Sequence, residues 1–257
     1  MKHGRDILKG DHLSILGARL TELQEDDFVK CVDFYRNLEV EEAIFLGENK
    51  ALMKTAHNIA FTLIVLFKKI SAAPVWAIPY LRQLKSDTVQ LLPSIVFGGK
   101  RALHLFERAS IEDLFRYIYF FDHKIEHILL QKYPKKFQSF NSLVDWAKDH
   151  PSLSLNSETT TQCFDEIASQ YAELSRTIHG TTVADQQLLE SLQATGKPIA
   201  EVEQENRRMK SLYKNIFFLL LLFHLEEYRK LQLDERTLIC RCLSKSQIGV
   251  LSGLTTH

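Results

Sequence analysis

The stretch GKRALHLFERASIEDLFRYIYFFDHKIEHILLQ, residues 99–131, decides how the chain is read. Leu103, Ile111, Leu114, Ile118, Phe121 and Ile125 recur at helical spacing, and no Pro or internal Gly interrupts them, so a single long helix is predicted. Beside that apolar side runs a polar stripe: Arg108, Glu112, Arg116, Tyr119, His123 and Glu126. At ~100° per residue these six fall within a sector of about 80°, bordering the apolar face. Tyr133-Pro134 stops the helix.

The flanks carry the same periodicity. Helices are predicted at about 25–36, 49–70, 80–92, 143–148, 163–179, 184–192, 199–231 and 234–243, with a short tail after the last. Pro93 is expected to stop the third, Gly180 to stop the helix ending at His179, and Asp234 to cap the last. Ala194 to Pro198 reads as a turn. No alternating strand pattern stands against these, so the fold expected is all-α: an up-and-down helical bundle, residues 46–257, with an N-terminal helical extension, residues 1–45.

A second polar stripe lies on the helix at 163–179. Tyr171, Ser175 and His179 follow one another at four-residue spacing, with Ile167, Leu174 and Ile178 marking the core side. Two such stripes facing each other would gather a carboxylate, guanidinium groups, hydroxyls and imidazoles, a mixture that apolar packing does not call for. Ser175 and His179 lack a carboxylate orienter on their own helix, so no Ser–His nucleophile is assigned.

Composition narrows the classes. With 32 basic and 32 acidic residues there is no global cationic field, so nucleic-acid or membrane binding would need a local patch. The longest apolar run, Ile216 to Phe223, is far short of the ~20 residues of a bilayer span, and it reads as a buried helix. The first residues lack the build of a signal peptide. Four scattered cysteines, with only Cys240 and Cys242 near each other, suit a reducing compartment and a cytoplasmic protein. The segment from Glu201 to Lys210 reads as an exposed, solvated, charge-rich helix start.

Leu81-Arg-Gln-Leu-Lys-Ser-Asp87, the Arg108/Glu112/Arg116 helix, and Tyr171-Ala-Glu-Leu-Ser175-Arg-Thr-Ile-His179-Gly180 together resemble the prokaryotic HEPN-like helical proteins, many of them linked to anti-phage defence. The resemblance covers about residues 50–245. It implies a homodimeric helical domain whose active members cut RNA without a metal or cofactor, using Arg and His across the dimer groove. Carried onto this chain, it makes His179, Arg116, His123, Arg108 and Glu112 the catalytic candidates, with Tyr171, Ser175 and Tyr119 binding substrate. The family pairs an Arg with a His a few residues on. Arg116 and His123 keep that spacing, as do Arg5 and His12, whereas Arg176 and His179 stand closer together. A metal-independent RNase or RNA-binding effector of a defence or toxin system is therefore expected.

Two other readings stand beside it. His123-Lys-Ile-Glu126-His127 fits the H-x-x-E-H pattern of zinc hydrolases, with Glu203 or Glu205 as a third ligand. Alternatively the polar helices form a catalytically inactive binding or adaptor subunit of a defence complex.

Overall fold

A computed structural model describes residues 7–37, 49–70, 73–135, 138–154, 157–179, 199 and 201–255. Among these the fold is an all-α bundle: α1 (Ile7–Arg36), α2 (Lys50–Phe67), α3 (Ile78–Pro93), α4 (Gly99–Asp122), α5 (Lys124–Lys132), α6 (Phe140–Asp149), α7 (Ser157–His179), α8 (Val202–Phe223), α9 (Leu225–Arg229), α10 (Leu233–Cys240) and α11 (Lys245–Thr255). The expected helix at 184–192, the turn at 194–198, the Gly180 stop and the boundary at residue 45 lie outside the described residues.

The long helix read from 99–131 is two. His123 leaves helical geometry (φ −106°, ψ 63°) between α4 and α5. Its imidazole Nδ1 lies 2.7 Å from the Tyr119 carbonyl, so an Nδ1–H donates to an oxygen that the helix end leaves open. The ring also lies flat on Tyr119, with centroids 4.0 Å apart. The helix expected at 199–231 breaks in the same manner at His224 (φ −113°, ψ 46°), where Tyr117 Oη and His224 Nε2 are 2.6 Å apart.

Pro93 does not end its helix cleanly. The chain continues through a π-helical turn, Ser94–Gly98, which absorbs the missing proline donor. Ser94 Oγ donates to the Gln90 carbonyl at 2.6 Å. Gly99 then turns the chain at φ 65°, ψ −171°, a conformation that side chains with a Cβ rarely adopt. This corner lets α3 and α4 pack along each other as a hairpin. Gly99→Ala is expected to cost about 1–3 kcal/mol, measured by urea unfolding, because the corner is locked by the packing on either side.

α4 sits at the centre, against α3, α6, α7 and α8. α8 is buried on every side from Asn215 to Leu222, as its uninterrupted apolar run requires. α1 starts well before the expected helix and sends Phe28, Val32 and Tyr35 into the same core as α2 and α8. α2 has the length and apolarity of a short membrane span, but 56% of it is buried inside the bundle, as befits a core helix. The N-cap of α10 is Gln232 in a capping box with Glu235, two residues before the expected Asp234. Residues 245–255, read as a tail, form α11, held by Leu251 in the core and by Gln247 bonded to Asn215. The four cysteines are free thiols.

Candidate functional site

The two polar stripes meet where α4 packs on α7. Glu112 is the hub. Its Oε1 accepts from Tyr171 Oη at 2.9 Å and pairs with Arg108 Nη2 at 3.0 Å, while Oε2 accepts from Arg116 Nη2 at 3.0 Å. Arg108 also reaches Tyr171 Oη at 3.1 Å and His179 Nε2 at 3.4 Å, with its guanidinium over the Tyr171 ring. A guanidinium only donates, so His179 Nε2 is the acceptor and the imidazole proton sits on Nδ1 in this arrangement. Phe140 at the start of α6 stacks on Tyr171 at 3.7 Å, fixing the phenol plane. Burial pushes the Tyr171 hydroxyl pKa up, and Arg108 next to it opposes that. Arg108, Glu112, Tyr171 and Ser175 are half-buried, and His179 is exposed, so the cluster opens to solvent at its His179 end.

Ser175 lies between Tyr171 and His179 on α7, yet among the described residues its buried Oγ has no hydrogen-bond partner. Tyr119 and His123 belong to a separate aromatic group at the far end of α4, packed edge-on against Trp146. The stripe seen as one in the sequence is thus divided: Arg108, Glu112 and Arg116 serve the α4–α7 groove, while Tyr119 and His123 serve the helix break. Glu126 lies beyond that break, on α5.

An acid pair backs the groove. Arg116 Nη1 lies 3.3 Å from Asp113 Oδ1, and Asp113 shares a hydrogen bond with Asp87 of α3. Burial, then the neighbouring Asp87 carboxylate, pushes the Asp113 pKa up to about 8. Asp87 is raised for the same first reason, and it accepts from Gln83 Nε2 at 2.9 Å. The pair is built to hold a shared proton.

A second polar cluster, unforeseen from sequence, joins α4 to α8. Glu107 is fully buried and sits 2.6 Å from Arg208 Nη1, an ion pair outside good hydrogen-bond angles. Arg208 also bonds Glu205, which in turn takes His104 Nε2 at 2.9 Å and Lys100 Nζ at 2.9 Å. Burial raises the Glu205 carboxyl pKa, but the hydrogen bond from His104 and the charges of Arg208 and Lys100 outweigh it and hold the group well below the usual range. The segment Glu201–Lys210 is therefore only partly a solvated face: Glu203, Arg207 and Lys210 are exposed, but Glu205 and Arg208 are core.

That arrangement also engages the suggested third zinc ligand. Glu205 belongs to the buried cluster and Glu203 pairs with Arg207. His123 holds the Tyr119 carbonyl, and His127 Nδ1 meets Tyr80 Oη at 3.2 Å. Among the described residues no three His, Cys, Asp or Glu side chains are grouped to hold a metal ion.

The chain matches no protein-family model, and no curated protein or solved structure matches it.

Proposed function

We propose that the α4–α7 groove binds the phosphodiester of RNA, and that the chain is a HEPN-like, metal-independent RNase or RNA-binding effector. The observation that supports this is the Arg108–His179 contact at the open end of the groove. A guanidinium beside an imidazole acceptor is what cleavage by an adjacent 2′-hydroxyl needs. The hydroxyl attacks phosphorus as His179 Nε2 takes its proton, the P–O5′ bond breaks to give a 2′,3′-cyclic phosphate and a 5′-hydroxyl that draws its proton from water, and Arg108 offsets charge gathering on the phosphorane oxygens. Glu112 holds both guanidinium groups in place, and Arg116 supplies a second cation one turn along. In this reading the protein acts in the cytoplasm within a defence or toxin system, as a homodimer or with a partner protein, and without a cofactor.

One observation favours a second reading. Glu112 already pairs with both Arg108 and Arg116, and Arg108 with Tyr171, so these contacts form without a ligand and would equally lock α4 to α7 in a catalytically inactive adaptor. The discriminating experiment is cleavage of a labelled RNA in EDTA by the wild type and by His179→Ala, with binding followed by anisotropy. Cleavage falling about a hundredfold in the variant, with its helical spectrum intact, is the expected result. Binding without cleavage, unaffected by His179→Ala but lost in Arg108→Ala, would establish an RNA-binding effector, whereas no RNA binding together with a loss of stability in Arg108→Ala would establish the adaptor reading. Absence of RNA binding would overturn both RNA assignments.

A further inference from the structure

α5 lies against the bundle by its more polar side. Glu126, His127 and Leu130 turn inward: His127 Nδ1 meets Tyr80 Oη at 3.2 Å, and Leu130 packs on the core. Glu126 is close enough to Tyr119 to raise a hydroxyl pKa that burial already pushes up. At ~100° per residue, Ile125, Ile128, Leu129 and Lys132 share a sector of about 100° on the opposite side. All four are exposed, and Ile125 keeps 70% of its surface in solvent. None of the nine residues of α5 is buried. Beside the start of α5 stands Val75, 80% exposed and next to Trp76, whose ring lies 5.0 Å from Lys124 Nζ. Single exposed aliphatics are ordinary, but a run of them at i, i+3 and i+4 of a projecting helix, with a further one beside it, marks a contact surface.

The charges around this face decide what it fits. Lys124, Lys132 and Lys135 are exposed, and among the described residues none has a carboxylate within ion-pair distance. The neighbouring acids face other groups: Glu126 lies toward Tyr119, and Asp122 is 3.1 Å from His150 Nε2. A second copy docked through the same face would bury Lys132 in the seam, and the outward sector holds no carboxylate to meet it. A bilayer surface needs no such match. Aliphatic side chains enter among the acyl chains, lysine stems lie along them, and the ammonium heads reach the phosphates. Aliphatic insertion and clustered cations are two weak signals that together hold a peripheral protein reversibly. We propose that the outward face of α5, with Val75 beside it, docks on an anionic lipid surface. The Arg108 cluster stays open in that position, because ~20 Å of α4 lies between Arg108 and Asp122.

The test is flotation of the full chain with phosphatidylcholine vesicles, alone or carrying about 30% phosphatidylglycerol. The anionic vesicles are expected to bind about tenfold or more tighter, and to lose that margin as salt rises from about 0.1 M to about 0.5 M. Each lysine near such a surface is worth roughly fivefold in partition, so Lys124→Gln joined to Lys132→Gln should weaken binding about tenfold or more. Ile128→Asp, at an exposed position, should abolish binding with the helical spectrum intact. Lys210→Gln joined to Arg241→Gln removes as much exposed charge from other helices and should leave binding unchanged. The proposal is overturned if the anionic vesicles bind nothing by about 1 mM lipid, if Ile128→Asp binds like the wild type, or if the Lys210/Arg241 pair matters as much as the Lys124/Lys132 pair. It is equally overturned if the wild type sediments as a dimer that Ile128→Asp disperses, which would assign the face to a second copy. RNA cleavage is measured without vesicles, so the two readings fail independently.

Discussion

Arg208→Ala is expected to destabilise the protein by about 3–5 kcal/mol, read as a fall in the urea midpoint at unchanged slope. That is about a fifth or more of the ~5–15 kcal/mol available to a typical native domain. The reason lies in Glu107, a fully buried carboxylate whose nearest cation is Arg208 at 2.6 Å. Glu205 would still have His104 and Lys100, but Glu107 would be left without its ion-pair partner. Its escape is to take up a proton, and burial already raises its pKa. The loss should therefore be smaller at pH 5 than at pH 8, because protonation costs less in acid. Joining Glu107→Gln to Arg208→Met removes the stranded charge along with its partner, and should recover most of the stability. A loss below about 1 kcal/mol for Arg208→Ala at pH 8 would mean that water reaches Glu107 and that the cluster is not a dry one.

The same residues show why part of the fold could be read from sequence and part could not. Leu103, Ile111, Leu114 and Ile118 announce α4 because apolar spacing depends only on residues close in the chain. The four-residue steps Arg108–Glu112–Arg116 and Tyr171–Ser175–His179 place each stripe on one face for the same reason, and α4 and α7 do bring them together. Ser175 shows the limit of spacing, which puts a hydroxyl on a face but does not choose its partner. The breaks at His123 and His224 depend on imidazoles meeting a carbonyl and a phenol, and no local propensity encodes that. Glu205 and Arg208 read as solvated because charged helix residues usually are. What buries them is Glu107, about a hundred residues earlier, on a helix that packs against theirs. A signal was present nonetheless. Glu107 stands one turn from both Leu103 and Ile111, on the core side of α4 rather than in its polar stripe. α11 looked like a tail because Gly249 and Gly253 weaken its local preference, and burial of Leu251 overrides that.

Stability should fall by about 2 kcal/mol between pH 6.5 and pH 8, and Asp113→Asn should remove that fall. Two buried groups set the window. Asp113 titrates near 8 in the native state, against about 3.9 when unfolded, so between those values the native protein holds a proton that the unfolded chain lacks. Stability from this source is fully present in acid and is lost as pH rises toward 8. His224 does the opposite. Burial, partly offset by Glu227, lowers its pKa to about 4, against about 6.5 unfolded, so stability from it is lost as pH falls from about 6.5 to 4. Between about pH 4 and 6.5 the two slopes cancel. Above 6.5 the unfolded imidazole is neutral as well, and of these two slopes the Asp113 one remains, acting over about 1.5 pH units. Glu107 shifts in the same direction as Asp113 but is untouched by the substitution, while Glu205 and Glu166, both held low, act at the acid end. The informative quantity is therefore the difference between variant and wild type. An amide at position 113 keeps an oxygen for Arg116 and presents an N–H to Asp87, reproducing the protonated pair without a titration. Urea unfolding at pH 5, 6.5 and 8 should show the variant gaining about 2 kcal/mol on the wild type over the upper interval. Parallel profiles for the two proteins would mean that the Asp87–Asp113 pair is ionised at neutral pH. Arg116 would then be held by two carboxylates, and its charge would be less available to a phosphate in the groove.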